Sequence, residues 1–174
     1  MKNTAPQLQN IEIVDSRNRP LMEMPINEAH RQMLPHRSVA VLVHDEENRL
    51  YLQQRSADKT FYPGRWDVSA SGHVLVGEST RDAALRVLFD ELRIRTDRLR
   101  HIREIPASPA TGFEYVSVYS AGRSASRPAP NREEIEGGYF YSREELACLI
   151  GEFRELLTPG LISLWERGLP FPEE

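Results

Sequence analysis

The chain has 174 residues, of which 40% are hydrophobic and 28% charged, proportions typical of a globular domain that folds without disulfide or metal staples. Its net charge of −4 argues against a nucleic acid polymer as partner, because contacts to many phosphates need a basic surface. No apolar run approaches the roughly 18 residues of a membrane span, so no membrane partner is expected. The single cysteine, Cys148, excludes an internal disulfide and favours a cytoplasmic location.

The first part of the chain alternates between strands, turns and one short helix. A strand is predicted at residues 11–15, and a helix at residues 26–34 with Asn27 as its cap and Pro35 at its end. The runs SVAVLVHD and RLYLQQR, separated by EEN, predict a hairpin. The segment DVSASGHV predicts a further extended stretch that leads into the central helix.

The central helix is predicted over residues 79–92, where apolar side chains recur at helical spacing. The later segments HIREI, FEYVSVYSA and GGYFYS predict strands. Ser142 and Glu145 form a capping box for one more helix, and Pro159 opens the last one. Mixed strands with a central helix and a helical C-terminal part predict an α+β fold, an α/β/α sandwich with a mixed central sheet. We expect one domain over residues 1–174, with an N-terminal strand and short helix to about residue 35 and a core beyond it.

The end of the central helix carries a candidate metal site. Positions 87, 90 and 91 are neighbours on one helical face. Asp90 and Glu91 supply the oxygen donors that Mg²⁺ prefers, whereas Val87 supplies none. Arg86 can pair with Asp90 or with Glu78 at the helix start. A glycine six residues before Glu78 permits a loop whose carbonyl points at the same cation.

The stretch GHVLVGESTRDAALRVLFDELRI, residues 72–94, resembles the Nudix box, the signature of the MutT-type pyrophosphohydrolases. That pattern is a glycine, five residues, a glutamate, seven residues, and then Arg-Glu-aliphatic-x-Glu-Glu-x-Gly-aliphatic. The matching positions are Gly72, Glu78, Arg86 and Glu91. The departures are Val87 and Asp90 in place of glutamates and Arg93 in place of the glycine.

The Nudix resemblance implies hydrolysis of the pyrophosphate in a nucleoside diphosphate linked to another moiety, with Mg²⁺ or Mn²⁺ as cofactor. It implies Gly72, Asp90 and Glu91 as metal ligands, and Glu78 and Arg86 as further catalytic residues. Because Val87 replaces a glutamate that many family members use as ligand or base, Glu114 or a glutamate of the NREE loop is the candidate substitute. The substrate is expected to be a small diphosphate compound, and a homodimer is left open.

The flanking residues resemble the Nudix branch close to type I isopentenyl diphosphate isomerase. The shared features are His36, the Gln-Arg-Ser run at residues 54–56, Lys59, Pro63-Gly64 with Trp66, and Gly72-His73. By this resemblance Arg55 and Lys59 hold the diphosphate of the substrate. His30, His36, His73 and Glu114 fall at places similar to those of the metal ligands of the isomerase. Three imidazoles and a carboxylate would suit Zn²⁺ or Mn²⁺ better than Mg²⁺.

Three functions stay open on the sequence. A metal-dependent hydrolase with an altered box is the first, and a Nudix domain that binds a nucleotide without turnover is the second. The third, isopentenyl diphosphate isomerase, is disfavoured because Ser71 stands where the isomerase has a cysteine, and a hydroxyl is a much weaker acid than a thiol. For the first function we expect Glu91→Gln to abolish activity and Val87→Glu to raise activity or metal affinity.

Overall fold

The computed structural model describes residues 9–123 and 127–171, and these form one nine-stranded sheet with four α-helices. The strands are β1 (Asn10–Val14), β2 (Pro20–Pro25), β3 (His36–His44), β4 (Leu50–Arg55), β5 (Trp66–Asp67), β6 (Ala70–His73), β7 (Arg100–Ile105), β8 (Glu114–Arg123) and β9 (Ile135–Tyr141). The helices are α1 (Ile26–Arg31), α2 (Thr80–Leu92), α3 (Arg143–Glu152) and α4 (Pro159–Glu166). Since residues 1–8, 124–126 and 172–174 lie outside this description, the single domain over 1–174 stays a prediction. None of the described helices is long and apolar enough to cross a lipid bilayer.

Strand β3 lies at the centre of the sheet and makes the sheet mixed. It runs parallel to β8 and antiparallel to β1, β4 and β6. Its nine residues are rich in β-branched and apolar side chains, and eight of them are buried, as expected for a strand covered on both faces. The start of β8 and the end of β6 therefore lie beside the first residues of β3.

Alternating side chains of β3 pack against different layers, which makes the fold an α/β/α sandwich as predicted. Val39 and Val41 pack in one apolar cluster with the buried face of α2. Ala40 and Leu42 pack in a second cluster with residues of α3 and α4. This follows from the period of two along a strand, which sends successive side chains to opposite faces.

β3 and β4 diverge after a single residue pair, and we call the region between them the cleft. The predicted hairpin is present, but its strands pair only at His44 and Leu50 before β4 turns to pair with β5 and β9. Ser69 fills part of the cleft, because its hydroxyl donates to the Tyr51 carbonyl (2.6 Å) and accepts from the Val43 amide (2.9 Å). The end of α2 faces this cleft.

Two local predictions were wrong: helix α1 ends at Arg31 and not at residue 34, and Asn27 is not its cap. α1 is capped at Pro25 without a side-chain hydrogen bond, and Asn27 lies inside the helix, where its side chain accepts from the amide of the next residue. Strand β2 was missed, because PLMEMP has no alternating pattern and both its ends are prolines. It is an edge strand paired with β1, the position where proline is tolerated.

Candidate functional site

The start of α2 is fixed by an ion pair between Glu78 and Arg86. The Arg86 guanidinium donates to both oxygens of Glu78 (2.6 and 2.9 Å) and to the carbonyl of His73 (2.8 Å). Glu78 also accepts from the Leu75 amide (3.0 Å). Of the two partners open to Arg86 on the sequence, the structure selects Glu78. These two box residues thus tie the loop after β6 to the helix.

Val87, the valine in place of a box glutamate, is buried against Gly72. A Cβ atom built on Gly72 would lie 2.6 Å from Cγ1 of Val87, so only glycine fits there without a shift. Val87 is 5% exposed and belongs to the apolar cluster beneath α2. The contact also fixes direction: Gly72 faces α2, so Ser71 and His73 on either side of it face away.

The two acids at the end of α2 have different surroundings. Asp90 is exposed. Glu91 is only partly accessible, and one of its oxygens accepts from Nε2 of Gln53 (2.8 Å) and from the Ser71 amide (3.2 Å). Burial raises the pKa of Glu91 to about 7, although these two hydrogen bonds oppose the shift. Glu91 therefore sits in the cleft between β4 and β6 as a group that can hold or release a proton near neutral pH.

Within the described residues, metal-ligating side chains converge at one place, which we call the imidazole cluster (His30, His36, His73 and Glu114). One ligand atom from each of the four lies within 4.8 Å of the others. The Nε2 atoms of His30 and His73 are 2.8 Å apart. The nearer oxygen of Glu114 lies 3.7 Å from Nε2 of His36 and 3.6 Å from Nε2 of His73.

Strand register explains why residues so far apart in sequence meet. His36 begins β3 and lies directly opposite Glu114, the first residue of the parallel strand β8. His73 ends β6 opposite Ser38, two residues along β3 and so on the same face as His36. His30 comes from α1, which precedes β3, and its ring lies edge-on to both other imidazoles.

The orientation of His36 is set before any ligand arrives. It is fully buried, and its Nδ1 donates to the Leu34 carbonyl (2.7 Å). A carbonyl only accepts, so the proton of the neutral ring is on Nδ1, and Nε2 carries a free lone pair. That Nε2 is buried without a hydrogen-bond partner among the described residues, and it faces the cluster. A backbone carbonyl that holds the second ring nitrogen is the usual support of a metal-binding histidine.

The protonation states also suit a cation. Burial, and after it the neighbouring His73 and His36 imidazoles, lowers the pKa of His30, which favours the neutral ring that binds metals. Glu114 adds the one carboxylate among the four side chains. Three nitrogen donors and one oxygen donor, one of them unpartnered, therefore fit a divalent transition metal.

The helix end and the imidazole cluster contact different parts of β6. Gly72 faces Val87 of α2, whereas His73 faces the cluster. Glu91 reaches the backbone of Ser71, which is roughly 7 Å along the strand from His73. The predicted ligand set of Gly72, Asp90 and Glu91 is thus separate from the set of three histidines and Glu114.

Of the two predicted phosphate-binding cations, Arg55 ends β4 and Lys59 lies on the loop that joins β4 to β5, which we call the covering loop. Arg55 donates to the Phe61 carbonyl (3.1 Å) and to Asp67 (3.3 Å). The Lys59 ammonium pairs with Glu134. Phe61 of the same loop is 53% exposed, and its ring centroid is 5.3 Å from that of His30. The loop therefore connects the cleft with the imidazole cluster.

A sizeable cavity lies elsewhere on the described part of the protein. It has a volume of about 740 Å³ and lies beside the β3–β4 turn and the free edge of β9, lined by residues such as Arg49, Tyr51, Arg132 and Tyr139. It contains none of the predicted site residues. This cavity therefore gives no support to the predicted site, whereas the convergence of ligand atoms does.

Two residues of the cleft were missed on the sequence. Gln53 is 2% exposed and its amide links Glu91 to the Ser69 carbonyl (3.1 Å). Asp67 is 8% exposed and accepts from Thr158 (2.7 Å) as well as from Arg55. The contacts of both residues depend on the divergence of β3 and β4, which no local sequence pattern predicts.

The comparisons with known proteins agree with this geometry. Residues 34–158 match the NUDIX domain family. An isopentenyl-diphosphate Delta-isomerase of Nocardia farcinica is 40% identical over 164 residues, which cover 90% of this chain and 92% of that protein. An uncharacterised Nudix hydrolase of Pseudomonas aeruginosa is 37% identical over 138 residues, which cover 77% of this chain and 78% of that protein.

A crystal structure of a Deinococcus radiodurans protein superposes with a TM-score of 0.81 at 26% identity, over 91% of this chain and 98% of the other. A Methanosarcina mazei MutT protein shares the fold alone, with a TM-score of 0.62 at 21% identity over 75% of this chain and 89% of the other. Three findings indicate the same family: the spacing of the box, the mixed sheet with helices on both faces, and the matched relatives. The chain belongs to the Nudix family, in the branch close to isopentenyl diphosphate isomerase.

Proposed function

We propose that the protein is a metal-dependent hydrolase that cleaves the diphosphate linkage of a nucleoside diphosphate joined to another moiety. The observation that carries the proposal is the unpartnered, fully buried Nε2 of His36, aimed at three other metal-ligating side chains. A buried polar atom without a partner costs free energy, so its retention favours a ligand that completes it. Membership of the Nudix family supports hydrolysis as the class of reaction.

His30, His36, His73 and Glu114 would hold the cation, and the nitrogen-rich set favours Mn²⁺ or Zn²⁺. Mg²⁺ at Asp90 and Glu91 stays a prediction. A divalent cation in the cluster supplies stabilisation of the negative charge that develops on phosphate oxygens.

The remaining chemistry falls to groups of the cleft. Glu91, with a pKa of about 7, accepts a proton from the attacking water when ionised. Gln53 and the Ser71 amide hold one oxygen of Glu91, which leaves the other for that proton. Lys59 binds the diphosphate as a point charge on the covering loop.

The test is turnover by purified protein loaded with Mn²⁺, Zn²⁺ or Mg²⁺ and offered a panel of nucleoside diphosphate derivatives. We expect hydrolysis of at least one member with Mn²⁺ or Zn²⁺. His36→Ala should lose it, and the matched control His101→Ala should keep it, because His101 is an exposed histidine on β7 outside the cluster. Turnover that survives His36→Ala would contradict the proposed role of the cluster.

Isopentenyl diphosphate isomerisation is a second candidate, favoured by the Nocardia relative at 40% identity. Ser71 opposes it, since it carries a hydroxyl where the isomerase has a thiol. Isopentenyl diphosphate should therefore be offered to the wild type and to Ser71→Cys, and formation of dimethylallyl diphosphate followed. Isomerisation by the wild type would replace hydrolysis as the proposed activity.

Binding without turnover is a third candidate, because Val87 removes a box carboxylate and Asp90 is exposed. It predicts no product with any cation but a metal-dependent rise in melting temperature with one nucleotide of the panel. Product formation would exclude it.

A further inference from the structure

The cleft contains two cations with different partners. Arg55 pairs with Asp67, and the two side chains are 18% and 11% exposed. Asp67 is held in turn by the Thr158 hydroxyl (2.7 Å) and the Val68 amide (2.8 Å). Lys59 pairs with Glu134, and those side chains are 28% and 44% exposed. The Arg55 pair is built into the core, whereas the Lys59 pair lies at the surface of the cleft.

Lys59 is also close to the other charges of the cleft. Burial, followed by the neighbouring Arg55, lowers the pKa of Lys59, while Glu91 and Asp67 oppose that shift. The ammonium thus lies among the groups that would surround a bound diphosphate. Glu134 is the one side chain with which it forms an ion pair among the described residues.

The backbone around Glu134 is held independently of this pair. The Ser56 amide donates to the Glu134 carbonyl (3.1 Å), and the Ala57 amide donates to the Glu136 side chain (2.9 Å). The Asn131 amide donates to the Glu91 carbonyl at the end of α2 (2.8 Å). The Glu134 side chain can therefore leave Lys59 without unfolding the covering loop.

From these contacts we propose that the Glu134 carboxylate occupies, in the free protein, the position at Lys59 that a phosphate group of the substrate takes, so that Glu134 sets the affinity for diphosphates by competition. A carboxylate and a phosphate offer the same kind of oxygen acceptor to an ammonium group. The more exposed of the two ion pairs is the easier to exchange, because less desolvated charge is left behind. This inference rests on the proposed function for the identity of Lys59 as a phosphate contact.

The probe is methylenediphosphonate, a diphosphate analogue whose P–C–P bond resists hydrolysis, titrated by calorimetry into metal-loaded protein. Glu134→Gln should bind it about threefold or more tightly than the wild type, the factor expected when a surface ion pair no longer competes. Glu133→Gln is the matched control, because it removes the same charge from the adjacent exposed residue, and its affinity should equal that of the wild type. The double variant Lys59→Met/Glu134→Gln should lose the gain.

Equal affinity in Glu134→Gln and the wild type, or equal gains in Glu134→Gln and Glu133→Gln, would overturn the competition. A gain that survives Lys59→Met would overturn it too. Absence of binding by every variant would show that the cleft does not take diphosphates. Turnover of the substrate panel is measured separately. Tighter binding by Glu134→Gln without turnover would support this inference and contradict hydrolysis. Turnover without tighter binding would support hydrolysis and contradict this inference.

Discussion

The imidazole cluster and the end of α2 are both candidate metal sites, and they are built in opposite ways. The cluster brings four ligand atoms together and leaves a buried nitrogen of His36 without a partner. At the end of α2, Val87 is packed against Gly72 and Asp90 faces solvent. In the structure, Glu78, Arg86 and Val87 of the box hold the loop and the helix in place, whereas four ligand atoms converge in the imidazole cluster.

Glu91 is the member of the box that keeps a chemical role in this account, so its loss should have the largest effect. We expect Glu91→Gln to lower kcat about a thousandfold, the middle of the range for loss of a general base. The amide can still accept from Gln53 and Ser71, so folding should persist. Single-turnover rates of the metal-loaded variant check this, and wild-type rates would remove Glu91 from the mechanism.

Val87→Glu tests the structural reading of the altered box. On the sequence alone, this change was expected to raise activity or metal affinity. The structure gives the opposite expectation, because a carboxylate would be buried beside Gly72 in an apolar cluster. We expect a loss of about 3 kcal/mol in the free energy of unfolding, measured by denaturant titration. Val87→Ala removes the packing without adding charge and should lose less; unchanged stability with higher metal affinity in Val87→Glu would show that the site accepts the carboxylate.

His36→Ala tests the imidazole cluster as the metal site. Removal of a preorganised ligand should weaken binding of Mn²⁺ or Zn²⁺ about a hundredfold. Isothermal titration with the metal alone measures this without any substrate. His101→Ala should bind as the wild type does, and an equal loss in that control would point to a general effect of imidazole content.

The protonation of Glu91 gives a dependence on pH. Its pKa is raised in the folded protein to about 7, so its contribution to stability is complete below the ordinary value near 4.5 and is lost as pH rises through 7. At pH 8 the free energy of unfolding of Glu91→Gln should therefore exceed that of the wild type by on the order of 1 kcal/mol. At pH 4 the two values should differ little. Hydrolysis, which needs the ionised carboxylate, should rise over the same range around pH 7. A stability difference of equal size at both pH values would contradict the assignment.

Asp90→Asn should have the smallest effect. Asp90 is exposed, so we expect metal affinity and kcat within about twofold of the wild type, as for other surface substitutions. A loss of metal affinity comparable to that of His36→Ala would restore the helix end as a metal site.

Much of the fold could be predicted because its signals are local. The spacing of apolar residues in α2, the Ser142–Glu145 capping box and the β-rich run of β3 each specify their element directly. β2 was not predicted, because an edge strand that begins and ends with proline has neither alternating polarity nor buried side chains.

The site was predictable only in part. The four members of the imidazole cluster were named from a family resemblance, but their convergence depends on the register of β3 with β6 and β8. Other features of the site are contacts that residue spacing does not predict. They are the hydrogen bond from His36 to the Leu34 carbonyl, the packing of Val87 on Gly72 and the hydrogen bond from Gln53 to Glu91.

The most direct test of the central claim is the anomalous scattering of a crystal soaked in Mn²⁺. We expect a peak enclosed by His30, His36, His73 and Glu114, and none in contact with Asp90. A single peak beside Asp90 and Glu91, with the four cluster residues free of metal, would contradict it.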